Sequence, residues 1–196
     1  MLILITGGSA SGKSEYAEQL VGDLGRNAAH CIYVATMYPY QNGVIDDEVK
    51  VRIEKHRRMR ADKGFSTVEC YTDLRRLSVG KDDIVLLECM SNLLANEMYL
   101  PDGHIGCPMG DITDSVMEQL IVRANQGIVS AVCDMAKIAK HVIVVTNEVF
   151  SDGCVRQYDA STKAYMKLLG EINIQLAGMA DKVTEVVCKI PVCIKE

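Results

Sequence analysis

The chain has 196 residues, 48% apolar and 24% charged, the size and composition of one globular domain spanning 1–196 with an ordinary core. A formal net charge of −5 argues against a general nucleic-acid binder, and no run approaches the roughly 20 apolar residues needed to cross a membrane. The N-terminus lacks a basic region, and its apolar run is shorter than the roughly 7–15 residues of a signal peptide, so the expected location is the cytoplasm.

In chain order, Leu2-Ile3-Leu4-Ile5 reads as a buried strand ending in glycines. From Lys13, Ala17, Leu20, Val21 and Leu24 recur at helical spacing, with Gly25 as the stop. Cys31 to Ala35 is a second strand. Asp46 or Asp47 is expected to cap a charged helix running to about Lys63, with Gly64 beyond it. Thr67–Cys70 and Asp83–Glu88 read as strands, and Thr113–Ala139 as a long amphipathic helix. His141–Thr146 is another buried strand, followed by a helix from about Asp159 to Met179. Val183–Cys188 and Val192–Ile194, split by Pro191, suggest a terminal hairpin. Residues 99–112, rich in glycine and proline, form the extended loop. Continuous apolar strands alternating with helices predict an α/β fold with a mostly parallel sheet and helices on both faces.

Eight cysteines stand at 31, 70, 89, 107, 133, 154, 188 and 193, and no two form a C-x-x-C pair. That spacing argues against zinc. Cys31, Cys89 and Cys188, lying in apolar runs, are expected to be small core hydrophobes.

The segment Gly7-Gly8-Ser9-Ala10-Ser11-Gly12-Lys13-Ser14 matches G-x-x-x-x-G-K-[ST] in full. Its glycines let successive N–H groups turn toward phosphates, Lys13 supplies charge to the β- and γ-phosphates, and the Ser14 hydroxyl is placed for Mg²⁺. An apolar strand before it and an amphipathic helix after it complete a P-loop of the P-loop NTPase fold. Glu88 ends the strand Ile84–Leu87, where an acid faces the nucleotide and its metal.

Residues 50–60 carry six cations against one acid. Arg52, His56 and Arg60 share one helical face, and neighbouring cations favour a neutral imidazole at His56. Periodicity alone makes His56 a solvated surface residue. His30 and His141 precede strands and read as structural or exposed, and His104 falls in the loop. A guanine-reading Asn-Lys dipeptide is absent; the nearest strand end is Thr146-Asn147-Glu148.

Together these blocks resemble the bifunctional adenosylcobinamide kinase/adenosylcobinamide-phosphate guanylyltransferase family of cobalamin biosynthesis. The similarity is carried by LITGGSASGKSEYAE at the P-loop, YVAT at 33–36, RIEKHRRMR at 52–60, DDIVLLECMSNLL at 82–94 and VIVVTNEV at 142–149. INIQLAGMADKV and the closing VVCKIPVCIK extend it over nearly the whole chain. The resemblance implies phosphorylation of adenosylcobinamide with ATP or GTP. It then implies transfer of GMP from GTP through a guanylyl-histidine, which by motif position is His56. It also maps nucleotide contacts onto Gly7–Ser14, Ala35, Thr36, Met37, Arg57, Arg58, Met59, Arg60, Glu69 and Glu88, and implies a homotrimer. Three departures concern nucleotide preference and substrate fit: Ser9-Ala10 replaces a common Ala-Arg, Arg60 precedes Ala61 where Arg-Pro and then a tryptophan are usual, and the loop at 99–112 is idiosyncratic. The rival reading is a monofunctional P-loop kinase of another small alcohol, with His56 incidental.

Overall fold

A central parallel sheet organises the computed structural model, which describes residues 1–25, 28–41, 44–45, 51, 54, 58, 63–108, 110–151 and 158–196. Its strands are β1 (Leu2–Thr6), β2 (Cys31–Ala35), β5 (Phe65–Glu69), β6 (Ile84–Glu88), β7 (His141–Val145), β8 (Lys182–Val187) and β9 (Ile190–Lys195). The two-residue strands β3 (Tyr40–Gln41) and β4 (Val44–Ile45) form a separate antiparallel pair. The order across the sheet is β5-β2-β6-β7-β1-β8-β9. Neighbours from β5 through β8 are parallel, and only the β8–β9 pair is antiparallel. The α/β expectation holds.

Alternation along the buried strands divides the core into two layers. Leu2, Leu4, Val85, Leu87, Val142 and Val144 face a layer completed by helices α2 (Met90–Tyr99), α3 (Asp114–Ala124), α4 (Ser130–Ile138) and α5 (Ala160–Met179). Ile3, Ile5, Ile84, Leu86, Ile143 and Val145 face the other layer, where α1 (Lys13–Leu24) contributes Ala17 and Val21. Both faces of the central strands are thus dry, which explains why their sequences are continuous apolar runs.

Most expected boundaries shift by a residue or two. The third strand is Phe65–Glu69 rather than Thr67–Cys70. The long helix is continuous in direction but contains a π-helical turn at Asn125–Val129 between α3 and α4. Asp159 caps α5, its carboxylate accepting from Thr162 N at 2.7 Å. The expected charged helix lies largely outside the described residues; of it, Val51, Glu54 and Arg58 are helical. Sequence periodicity did not anticipate α2, whose N-cap is Cys89 with no side-chain capping bond, so no start signal stands in the sequence.

Two expectations are corrected, and a third segment is more firmly held than its glycine and proline content suggests. Pro191 does not split the terminal strands; it sits within edge strand β9 opposite Val186, where a missing N–H costs no ladder bond. The chain reverses instead at Cys188 and Lys189, both with positive φ (50° and 66°), the conformation of a two-residue hairpin turn. Cys188 is therefore exposed at a turn rather than buried, while Cys89 is buried and Cys31 partly so. Finally, the loop after α2 is anchored: Ile105 is buried, and the Glu97 carbonyl accepts from Ile105 N and Gly106 N, both at 3.1 Å.

Candidate active site

The loop between β1 and α1 is shaped by two glycines that tolerate no side chain. A Cβ on Gly7 would lie 2.6 Å from both the Val186 carbonyl and Ser11 Oγ. Gly12 has φ +95°, and a Cβ there would meet Lys189 Cγ at 2.8 Å. The hairpin turn also donates Lys189 N to the Ser11 carbonyl at 2.7 Å, and Lys189 Nζ pairs with Glu15 at 3.0 Å. Gly12 forms the N-cap of α1 without any capping side chain, so the leading amides of the helix face outward as anion donors.

Lys13 is buried at the base of this loop, its Nζ donating to the Gly8 carbonyl at 2.9 Å. Burial lowers its pKa from the ordinary lysine value, and the neighbouring Glu88 carboxylate opposes that shift. Ser14 Oγ donates to Glu88 Oε1 at 2.5 Å, joining the helix start to the end of β6. A hydroxyl and a carboxylate in contact are hard oxygen donors of the type that holds Mg²⁺ together with phosphates and water.

These groups open onto a cavity of about 470 Å³. Its phosphate-side wall includes Ser9, Ala10, Lys13, Ser14 and Glu88. Ala35 and Met37 at the end of β2, with Thr67, Glu69 and Tyr71 at the end of β5, form a second wall. Cys89 and Asn92 from the start of α2, with Asn147, Glu148 and Val149 following β7, close a third. The sheet order explains the convergence, because the carboxyl ends of β5, β2, β6, β7 and β1 all lie along one edge.

Several walls are locked from behind. Asn96 on α2 donates its amide to the Thr36 carbonyl at 2.7 Å and to the Tyr71 carbonyl at 2.9 Å, tying the β2 loop to the β5 loop. Tyr71 in turn packs edge-on against Tyr38 at 5.2 Å between ring centroids and donates to Glu69 at 2.8 Å. Asn147 donates to Ser91 Oγ at 2.5 Å, and Tyr165 donates to the Ser91 carbonyl at 3.2 Å. Burial pushes the Tyr165 phenol up to about 12 and raises the Cys89 thiol, so both stay neutral.

The sites expected from sequence therefore separate into three groups. Ser9, Ala10, Lys13, Ser14, Ala35, Met37, Glu69 and Glu88 line the cavity, while Gly7, Gly8, Ser11 and Gly12 build the loop beneath it. Thr36 stands behind the wall rather than on it: it is fully buried, its hydroxyl donating to the Cys89 carbonyl at 2.9 Å and accepting from Cys89 N at 2.7 Å. Arg58 is exposed and pairs with Glu54 at 3.0 Å instead of lining the cavity. His56, Arg57, Met59 and Arg60 lie outside the described residues. Thr67, Tyr71, Asn92, Asn147, Glu148 and Val149 were missed as site residues. The signal that finds all but Thr67, the central residue of β5, is position beyond a strand's carboxyl end in a parallel sheet.

A glycine-rich loop feeding a helix, a buried lysine, and a helix-start hydroxyl touching a strand-end carboxylate, all at the carboxyl edge of a parallel sheet, define a P-loop nucleotide-binding protein. The sequence resolves the class further. Residues 3–194 match the family described as cobinamide kinase / cobinamide phosphate guanyltransferase, and the chain belongs to that family of enzymes. It is 34% identical over 198 residues to the bifunctional adenosylcobalamin biosynthesis protein CobU of Escherichia coli K12, covering 100% of both chains. The CobU protein of Salmonella typhimurium LT2 is also 34% identical, with 100% of both chains covered. Among solved structures, the flagellar accessory protein FlaH of Methanocaldococcus jannaschii superposes at a TM-score of 0.44 with 13% identity, over 99% of this chain and 77% of that one.

Proposed function

We propose that this chain, as one domain over 1–196, first phosphorylates the hydroxyl of adenosylcobinamide with ATP or GTP. It then passes GMP from GTP to the resulting phosphate through a guanylyl-histidine at His56. The observation that carries the reading is the Lys13–Ser14–Glu88 constellation, opening onto a cavity that extends to Glu69. It occurs in a chain whose residues 52–60 read R-I-E-K-H-R-R-M-R.

In the first reaction Lys13 and the loop amides hold the β- and γ-phosphates and offset charge that develops during transfer. Ser14 and Glu88 are the residues that would hold Mg²⁺, which neutralises phosphate charge when bound. Among the described lining residues three carboxylates, Glu69, Glu88 and Glu148, face one ammonium, Lys13. Additional positive charge is needed to accept a triphosphate, and Mg²⁺ together with the six cations that the sequence carries at 50–60 are its candidate sources. In the second reaction an imidazole nitrogen of His56 attacks the α-phosphorus, forming an N–P bond while the Pα–O bond breaks and pyrophosphate leaves. The acceptor phosphate then displaces the imidazole. Two transfers replace one difficult displacement. A cytoplasmic location and a homotrimer belong to the same proposal; among the described residues no helix is long and apolar enough to cross a membrane.

The test is incubation of the purified protein with Mg²⁺ and GTP labelled at the α-phosphate, His56→Asn in parallel. Acid-labile, base-stable label on the wild type and none on the variant is the expected result. Absence of label from folded, GTP-binding wild type would leave a kinase alone and remove His56 from the mechanism.

A further inference from the structure

We infer that Glu148 is the base that takes the proton of the acceptor hydroxyl in the phosphorylation step. Among the described residues three carboxylates line the cavity, and two are engaged by side chains of the site. Glu88 accepts from the Ser14 hydroxyl and belongs with the metal pair. Glu69 accepts from the Tyr71 hydroxyl at the end of β5, the far strand of the sheet. From β5 to β1 there are four inter-strand spacings, about 19 Å at about 4.8 Å each, too far for a carboxylate to reach the γ-phosphate end of the P-loop.

Glu148 differs in position and in the kind of partner it has, a local backbone N–H rather than a side chain of the site. It follows β7, the immediate neighbour of β1, and its backbone N donates to the Gly7 carbonyl at 3.0 Å, where the P-loop begins. Its side chain is fixed because Oε1 accepts from Phe150 N at 2.7 Å. The preceding Asn147 is held by Ser91, so the stem carrying Glu148 is braced on both sides. The neutral Cys89 thiol, facing Ser91 Oγ at 3.0 Å, is no competitor as a base. A carboxylate anchored at the phosphate end of the cavity but outside the Ser14–Glu88 pair is placed to meet the attacking alcohol.

The step balances without another reactant. The alcohol oxygen forms a bond to the γ-phosphorus as its proton passes to the Glu148 carboxylate. The bond from the γ-phosphorus to the β,γ-bridging oxygen breaks, and the nucleoside diphosphate departs with the electron pair. Glu148 then returns the proton to solvent. Guanylyl transfer needs no such base, because its acceptor is already an ionised phosphate.

This inference rests on the two-reaction reading above, and the contrast between the reactions supplies its test. Glu148→Gln keeps the side chain's shape and its acceptor for Phe150 N. The variant and wild type would be compared for steady-state phosphorylation of adenosylcobinamide, for GTP dissociation constant, and for α-phosphate labelling of the protein. The expected result is a fall in phosphorylation kcat of about 10²–10³-fold. GTP affinity should hold or rise, because the substitution removes a negative charge from the cavity; labelling should stay within about threefold of wild type, and Glu148→Asp should recover part of the rate. Unchanged phosphorylation would overturn the assignment. So would a parallel loss of GTP affinity, which would make Glu148 a structural support of the P-loop. If wild type itself takes no label, the guanylylation reading fails, but phosphorylation rate against GTP affinity still decides the role of Glu148.

Discussion

The two edges of the parallel sheet carry the same kinds of residue and use them in opposite ways. At the amino edge, Asp181 accepts from Leu2 N at 2.7 Å, and the Met1 ammonium donates to the Lys140 carbonyl at 3.0 Å. Asp83 accepts from Gly80 N at 2.7 Å and faces His30 Nδ1 at 3.0 Å. Burial and the nearby Met1 ammonium lower the pKa of His141. The Met1, Asp181 and Asp83 charges there hold turns and strand ends. At the carboxyl edge, Lys13, Glu69, Glu88 and Glu148 surround a cavity. The contrast shows why an acid, a lysine or a histidine at a strand end means little until the edge is known. Dipoles and loops leave room for a ligand only where the parallel strands finish.

The largest effect that could break this contrast is at Lys13. Lys13→Met should lower phosphorylation kcat/KM by about 10³-fold, about 4 kcal/mol of transition-state stabilisation. The unfolding midpoint should hold steady or rise, because the substitution removes a cation that burial disfavours. A large fall in thermal stability with little change in rate would place Lys13 with the structural charges.

Asn96 sharpens the comparison by a smaller amount, since it serves the site from behind. Asn96→Ala would leave the buried carbonyl of Thr36 and the part-buried carbonyl of Tyr71 without the amide that joins them. The expected cost is about 2–3 kcal/mol in denaturant unfolding, with a raised KM for nucleotide as the β2 and β5 walls separate. An unchanged KM would show that the walls hold their spacing without it.

Asp83→Asn, at the amino edge, should cost least and should leave the kinetics untouched. The Gly80 N–H and then His30 hold the Asp83 carboxyl below its ordinary value. Its stabilisation is therefore fully present above the unfolded carboxylate pKa and is lost as pH falls through the lower folded value. Wild type and variant should differ by about 2–5 °C in Tm at neutral pH and converge in acid. Curves that stayed parallel into acid would assign the difference to something other than the Asp83 charge.

The sequence by itself determined the features that are local or periodic. A P-loop is a run of eight residues whose glycines and lysine act through neighbouring backbone, so its pattern is complete in one dimension. The buried strands announce themselves because both faces of each are covered, and the family is legible because its motifs are short and dense. Tertiary structure alone decided how distant segments meet. Thr67, Asn92 and Glu148 share a cavity because the sheet order sets β5, β6 and β7 ends on one edge, an order that no local pattern encodes. The turn at Cys188 and Lys189 braces Gly12 from more than 170 residues away, and Thr36 became a brace rather than a contact once its hydroxyl met the Cys89 backbone. Periodicity reports which face of an element is dry; which polar ends face one another depends on the packing of the whole sheet.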